Sequence, residues 1–150
     1  AICVQAALDG LKEIRVFNIK DQFYGRLEKL TANITAKTSC KVTLHDLADE
    51  QALYDSIAAS DILTNGTSVG MAPNVDACLI KNTDVFRESL IVSDVIYNPE
   101  QTKLLKLASE KGCPTFNGLY MLLYQGAAAF KIWTGQDMPV DIIKEKYFTR

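Results

Sequence analysis

An α/β fold, with a doubly wound, mostly parallel sheet and helices on both faces, is what this sequence predicts. Two observations carry that expectation. Residues 91–135 run strand, polar turn, helix, strand, polar turn, helix, the order of parallel βαβ units. Residues 13–64 repeat the alternation, with short apolar stretches at 13–18, 41–44 and 60–64 separated by helical patterns.

Taken in order, residues 1–8 form an apolar helix that ends at Gly10, with no N-cap and no strand before it. A nucleotide-binding sheet would open with a strand and a glycine-rich turn ahead of such a helix. The expectation is therefore a chain truncated at its N-terminus, with that first strand and loop missing. Residues 13–18 alternate as a strand with Ile14 and Val16 on one side, and Asn18-Ile19-Lys20-Asp21 is the polar turn at its end. Apolar residues at 23, 27, 30 and 34 mark an amphipathic helix over 22–37. The next strand covers 41–44, with His45-Asp46 at its tip, and Asp49 caps a helix whose inner face carries Leu53, Ile57 and Ala58.

Residues 60–64 are a further strand, followed by Asn65-Gly66-Thr67-Ser68-Val69-Gly70-Met71, where two glycines allow a tight backbone turn. An irregular connection over 72–88 leads to the strand that opens at Leu90 and is stopped by Asn98-Pro99, because a residue before proline is pushed out of the α region. Leu104, Leu105, Leu107 and Ala108 then recur at helical spacing up to Lys111-Gly112. A short strand at 114–116 reaches Asn117-Gly118 and a long apolar helix carrying Gln125. Residues 139–148 close the chain as a short helix with proline in its first turn.

Composition narrows the function. A chain of 150 residues can hold one domain with its own core. Sixteen basic against eighteen acidic side chains give a net charge of −2, without the concentrated basic face that nucleic acid or an anionic membrane would need. The apolar run over 119–130 is broken by Gln125 and Gly126 and is too short to span a bilayer. No leader is read at the start, so a cytoplasmic protein is expected. Cysteines at 3, 40, 78 and 113 form no CxxC pair, and His45 is the single histidine. Reduced thiols and no metal site follow.

Four motifs stand in register: DVIYNP at 94–99, GC-T-NG at 112–118, MLLYQGA-AF at 121–130 and WTG at 133–135. In order and spacing they resemble the C-terminal part of the shikimate and quinate dehydrogenases. The resemblance implies a Rossmann-type dinucleotide-binding domain over residues 1–150. It also implies reversible hydride transfer between NAD(P) and shikimate or quinate, in aromatic amino acid biosynthesis or quinate metabolism. The family's acid/base lysine and its partner aspartate lie in an N-terminal substrate domain to which nothing here corresponds. No catalytic residue is assigned in this chain, and the chain alone is expected to turn nothing over and to bind NAD weakly. A homodimer is compatible with the family, and the substrate partner would be a small polyol carboxylate. Glutamyl-tRNA reductases and methylene-tetrahydrofolate dehydrogenases have related cofactor domains, but the joint DVIYNP and YQGA pattern fits them poorly. The alternative is a non-catalytic regulatory or binding module with a Rossmann-like fold.

The resemblance also assigns sites. In the turn at 18–21, Asn18, Lys20 and Asp21 meet the adenosine ribose. Ile19 stands where the family often has arginine, which removes the planar fork that grips a 2′-phosphate. NAD is therefore favoured, with NADP tolerated through Lys20. Asn65, Thr67 and Ser68 lie along the nicotinamide ribose. Val95, Ile96, Tyr97, Asn98 and Gly118 line the nicotinamide, Tyr97 also reaching the substrate. Gln125, two helical turns beyond Gly118, reads the polyol. Burying such a glutamine among apolar neighbours without a partner is costly, which argues for a ligand-facing role. Tyr120 replaces a common glycine and narrows the same pocket. Trp133 is expected to pack the last helix against the sheet.

Overall fold

The structure, a computed structural model, describes residues 1–148. It divides into two units, the first covering residues 1–59 and the second beginning at residue 60.

The first unit holds α1 (Ile2–Leu8), β1 (Glu13–Asn18), α2 (Tyr24–Lys37), β2 (Lys41–Asp46) and α3 (Glu50–Ala58). Strands β1 and β2 pair in parallel from Glu13↔Lys41 to Asn18↔Asp46. The second strand thus runs two residues further than the apolar pattern indicates, because His45 and Asp46 still find ladder partners. Ala7, Ile34, Cys40 and Val42 form the buried cluster, with Cys3, Ile14 and Val16 packed against it. The 3.6-residue period of α2 and the two-residue period of β1 therefore aim their apolar sides at one place. Asp49 caps α3 by accepting from Ala52 N at 3.0 Å, and Gly10 takes the left-handed φ of 95° that ends α1 cleanly.

The second unit holds β3 (Ile62–Asn65), a 3₁₀ turn (Thr83–Val85), β4 (Ile91–Asp94), α4 (Lys103–Glu110), β5 (Thr115–Phe116), α5 (Leu119–Thr134) and α6 (Val140–Tyr147). Its sheet has the order β3-β4-β5, all parallel. Leu90 and Val92 are wholly buried, and Ile80, Phe86, Ile96, Leu104, Leu105, Ala108, Cys113 and Leu123 are buried too. Helix α4 packs on β4 and β5. Among the described residues no helix is long and apolar enough to cross a membrane.

One expected contact is corrected. Trp133 is 82% exposed and Ile132 81%, so Trp133 does not pack the last helix onto the sheet. Helix α5 instead packs with α6, and Lys144 of α6 donates to Tyr124 Oη at 2.6 Å and lies 4.9 Å from that ring's centre. An apolar side chain signals that something covers it, but the letters do not say what.

Candidate functional site

The ends of the parallel strands carry the polar residues, as expected for open α/β sheets, where ligands collect beyond the carboxyl ends. In the second unit these ends are knitted together by Asp94, the last residue of β4. Asp94 is buried at 3% exposure. It accepts from Asn65 Nδ2 at 3.1 and 3.2 Å, from Ile96 N at 3.0 Å and from Thr102 Oγ1 at 2.8 Å. A buried carboxylate is tolerated only when its lone pairs are filled in this way. One side chain thereby ties the turn after β3, the segment after β4 and the N-cap of α4, where Thr102 Oγ1 accepts from Leu105 N.

Asn65 is fully used by the protein. Its Nδ2 also donates to Val69 O at 3.1 Å, while its Oδ1 accepts from Thr67 N at 3.0 Å and Thr67 Oγ1 at 2.7 Å. An amide has two donors and two acceptor sites, so none is left over for a ligand. Thr67 Oγ1 accepts in turn from Val69 N. This loop is shaped by its own side chains, and Ser68 is the expected site residue that remains exposed there.

The junctions after β4 and β5 are in backbone contact. Gly118 N donates to Ile96 O at 2.9 Å. A Cβ on Gly118 would lie 2.5 Å from the carbonyl carbon of Val95, closer still to its oxygen, and 3.2 Å from the carbonyl carbon of Ile96. Glycine at this position is thus demanded by packing and not by φ, which is an ordinary −76°. Asn117 secures the same corner. Its Nδ2 donates to Glu100 O at 2.9 Å and its Oδ1 accepts from Leu119 N at 3.1 Å. Beside it lies an open cavity of about 260 Å³ lined by Glu100, Gln101, Phe116, Asn117 and Tyr120, among others. Tyr120 is half exposed, its ring 5.7 Å from that of Phe148.

Of the expected site residues, Val95, Ile96 and Gly118 are brought together by this contact. Tyr97 is 46% exposed and Asn98 is exposed on the segment just beyond. Gln125 follows Gly118 by two turns, about 10 Å along α5, and is exposed. The desolvation argument for a ligand at Gln125 therefore does not apply, because its side chain is not buried.

In the first unit the tips of β1 and β2 form a second cluster. Asn18 is paired across the ladder with Asp46. Lys20 reaches Asp46 Oδ2 at 3.3 Å and lies 6.0 Å from the centre of the Tyr24 ring. Asp46 Oδ1 accepts from Ala48 N at 2.9 Å. That backbone N–H, and then the Lys20 ammonium, hold the Asp46 carboxyl below its ordinary value against the opposing effect of desolvation. Asp21 Oδ1 accepts from Phe23 N at 2.8 Å and so shapes the entry to α2. Phe17 stacks on His45, centroids 4.9 Å apart and planes 19° from parallel, with His45 Nε2 2.9 Å from Thr43 Oγ1. Sequence reasoning missed Asp94, Thr102 and Asp46. The signal for Asp94 was a carboxylate ending a strand next to one that ends in asparagine.

Among the described residues no cluster of His, Cys, Asp and Glu could hold a metal ion. Parallel strands joined through helices, with polar junctions at their carboxyl ends, define a Rossmann-like α/β domain. The comparisons narrow the class. The family profile described as "Shikimate 5'-dehydrogenase C-terminal domain" matches residues 118–146. The "Shikimate dehydrogenase (NADP(+))" of Listeria monocytogenes serotype 4b (strain F2365) is 54% identical over 148 residues, 99% of this chain and 51% of that protein. The crystal structure of Listeria monocytogenes shikimate 5-dehydrogenase in complex with shikimate and NAD superposes with a TM-score of 0.90 at 54% identity, over 96% of this chain and 50% of that one. Quinate dehydrogenase from Corynebacterium glutamicum in complex with NAD gives a TM-score of 0.81 at 26% identity, over 98% of this chain and 50% of that one. Over 99% of its length the chain is thus similar to shikimate dehydrogenases, and its fold is similar to that of a quinate dehydrogenase. It spans about half the length of the curated relatives it matches.

Proposed function

We propose that this chain is the cofactor-binding part of a dehydrogenase that moves hydride between NAD(P) and a carbon of shikimate or quinate. The observation that carries the reading is the backbone contact of the β4 and β5 junctions, Gly118 against Val95 and Ile96. It makes a fixed wall at the carboxyl end of a parallel sheet, where a flat ring can lie. Each unit offers groups of the kind a dinucleotide uses. Half-buried Val95 offers an apolar surface, exposed Tyr97 and Asn98 offer polar groups beyond it, and the tip of β1 offers Asn18, Lys20 and Asp21 to an adenosine ribose. When bound, the nicotinamide supplies the hydride acceptor or donor.

In this reading the chain's own residues bind and orient. Asn65 and Thr67 shape the loop along the nicotinamide ribose and leave Ser68 and the backbone to meet it. Tyr97 and Gln125 hold the hydroxyls and carboxylate of the substrate. Proton transfer belongs to an acid/base pair in the part of the family's protein that this chain does not span, and that division makes residues 1–150 one dinucleotide-binding domain. An assay of the 150-residue chain with shikimate or quinate and either cofactor is expected to give no titratable NAD(P)H. Substantial NAD(P)H formation would show that the acid/base groups lie within these residues and would overturn the division of labour.

A further inference from the structure

We infer that Asp46, at the tip of β2, sets the choice between phosphorylated and unphosphorylated dinucleotides. This rests on the adenosine-end reading of residues 18–21 given above and adds a residue to it. The usual acid in such a turn sits just past the neighbouring strand. Here that acid, Asp21, spends one oxygen on Phe23 N. A second carboxylate lies across the ladder, because the parallel register sets Asp46 directly against Asn18.

Asp46 acts in two ways. It pairs with Lys20 at 3.3 Å, the one cation of the 18–21 turn, and so engages the charge that would meet a 2′-phosphate. It also presents a carboxylate to a group carrying nearly two negative charges, which repels it. The ion pair is exposed, the two side chains being 64% and 29% accessible, and an exposed pair is weak. The repulsion therefore carries most of the discrimination. An unphosphorylated ribose meets the opposite situation, since its hydroxyls can donate to the same carboxylate. With Ile19 contributing no charge, Lys20 is the turn's one offset to Asp46.

Asp46→Asn is the decisive variant because the amide keeps the Oδ1 that accepts from Ala48 N, so the turn stays folded. The probes are AMP and adenosine 2′,5′-bisphosphate, titrated into the 150-residue chain by NMR at low salt. The expected result is that Asp46→Asn raises the affinity for the bisphosphate relative to AMP by about tenfold, and that 0.5 M salt erases most of the gain. Adding Lys20→Met to the Asp46→Asn background should abolish the gain. A ratio that moves by less than twofold in Asp46→Asn, with AMP still binding, overturns the role of Asp46 and leaves the adenosine-end reading standing. If neither probe binds any variant at millimolar concentration, the adenosine-end reading falls and this inference falls with it.

Discussion

Replacing Gly118 with alanine tests the junction that positions the candidate site. The added methyl would lie 2.5 Å from the Val95 carbonyl carbon and 3.2 Å from that of Ile96. Both are backbone, so no flexible side chain can swing away, and one strand end must move relative to the start of α5. The move breaks the Gly118 N–H to Ile96 O bond, at a cost of about 1 kcal/mol. Strain of the kind seen when a packed interior is overfilled adds about 1–3 kcal/mol. The total is about 2–4 kcal/mol, which for a chain of this length lowers Tm by roughly 4–16 °C. Thermal unfolding followed by circular dichroism measures it. A G118A protein that melts within about 1 °C of the parent would refute the reasoning, because the contact would then be slack.

Three further outcomes are expected. Asp94→Ala leaves Asn65 Nδ2, Thr102 Oγ1 and Ile96 N without their acceptor and should cost about 3–5 kcal/mol in chemical denaturation; a loss below about 1 kcal/mol would mean that water fills the place. The hydrogen bond to Tyr124 raises the Lys144 ammonium above its ordinary value, helped by its charge relation to Tyr124, Asp141 and Tyr120. Stability from a raised lysine is fully present below the unfolded value and is lost as pH rises through the folded one. The Tm advantage of the parent over Lys144→Met should therefore be present at pH 9 and fade above pH 10.5, and an advantage that grows with alkalinity would contradict this. Burial pushes the thiols of Cys40 and Cys113 up, with Cys113 Sγ donating to Arg87 O at 3.1 Å. Iodoacetamide at neutral pH should label partly exposed Cys3 first and Cys113 only in denaturant, and equal rates at Cys3 and Cys113 would sink the assignment.

The elements were legible because each is punctuated by residues with a local cause. Asp49 announces the start of α3 and Gly10 the end of α1, and Pro139 stands at the N-cap of α6. Strand β1 was readable to the residue, since Ile14 and Val16 alternate against a buried cluster. The end of β2 was not, because His45 and Asp46 are polar and only the ladder shows that they continue it. Parallel pairing was readable from the strand–helix alternation. The network around Asp94 was hidden because Asn65, Asp94 and Thr102 are far apart in sequence and meet only through the register Asn65↔Asp94. The reason for glycine at 118 was equally hidden, as closeness to Val95 and Ile96 depends on how β5 delivers α5. Trp133 misled because hydrophobicity names a demand for cover without naming the partner. At the β1 tip the pairing of Lys20 with Asp46 was hidden, because the two meet only through the parallel register of β1 and β2.

Residue-resolved NMR titration of the 150-residue chain with NAD tests the account most directly, since it asks where a nicotinamide dinucleotide lands. The account predicts weak, saturable shifts at Asn18 and Lys20, at Thr67 and Ser68, and from Val95 to Asn98 with Gly118, while the α5–α6 face around Trp133 stays still. Shifts confined to that face, or none along the junctions after β3, β4 and β5 at millimolar NAD, would contradict it.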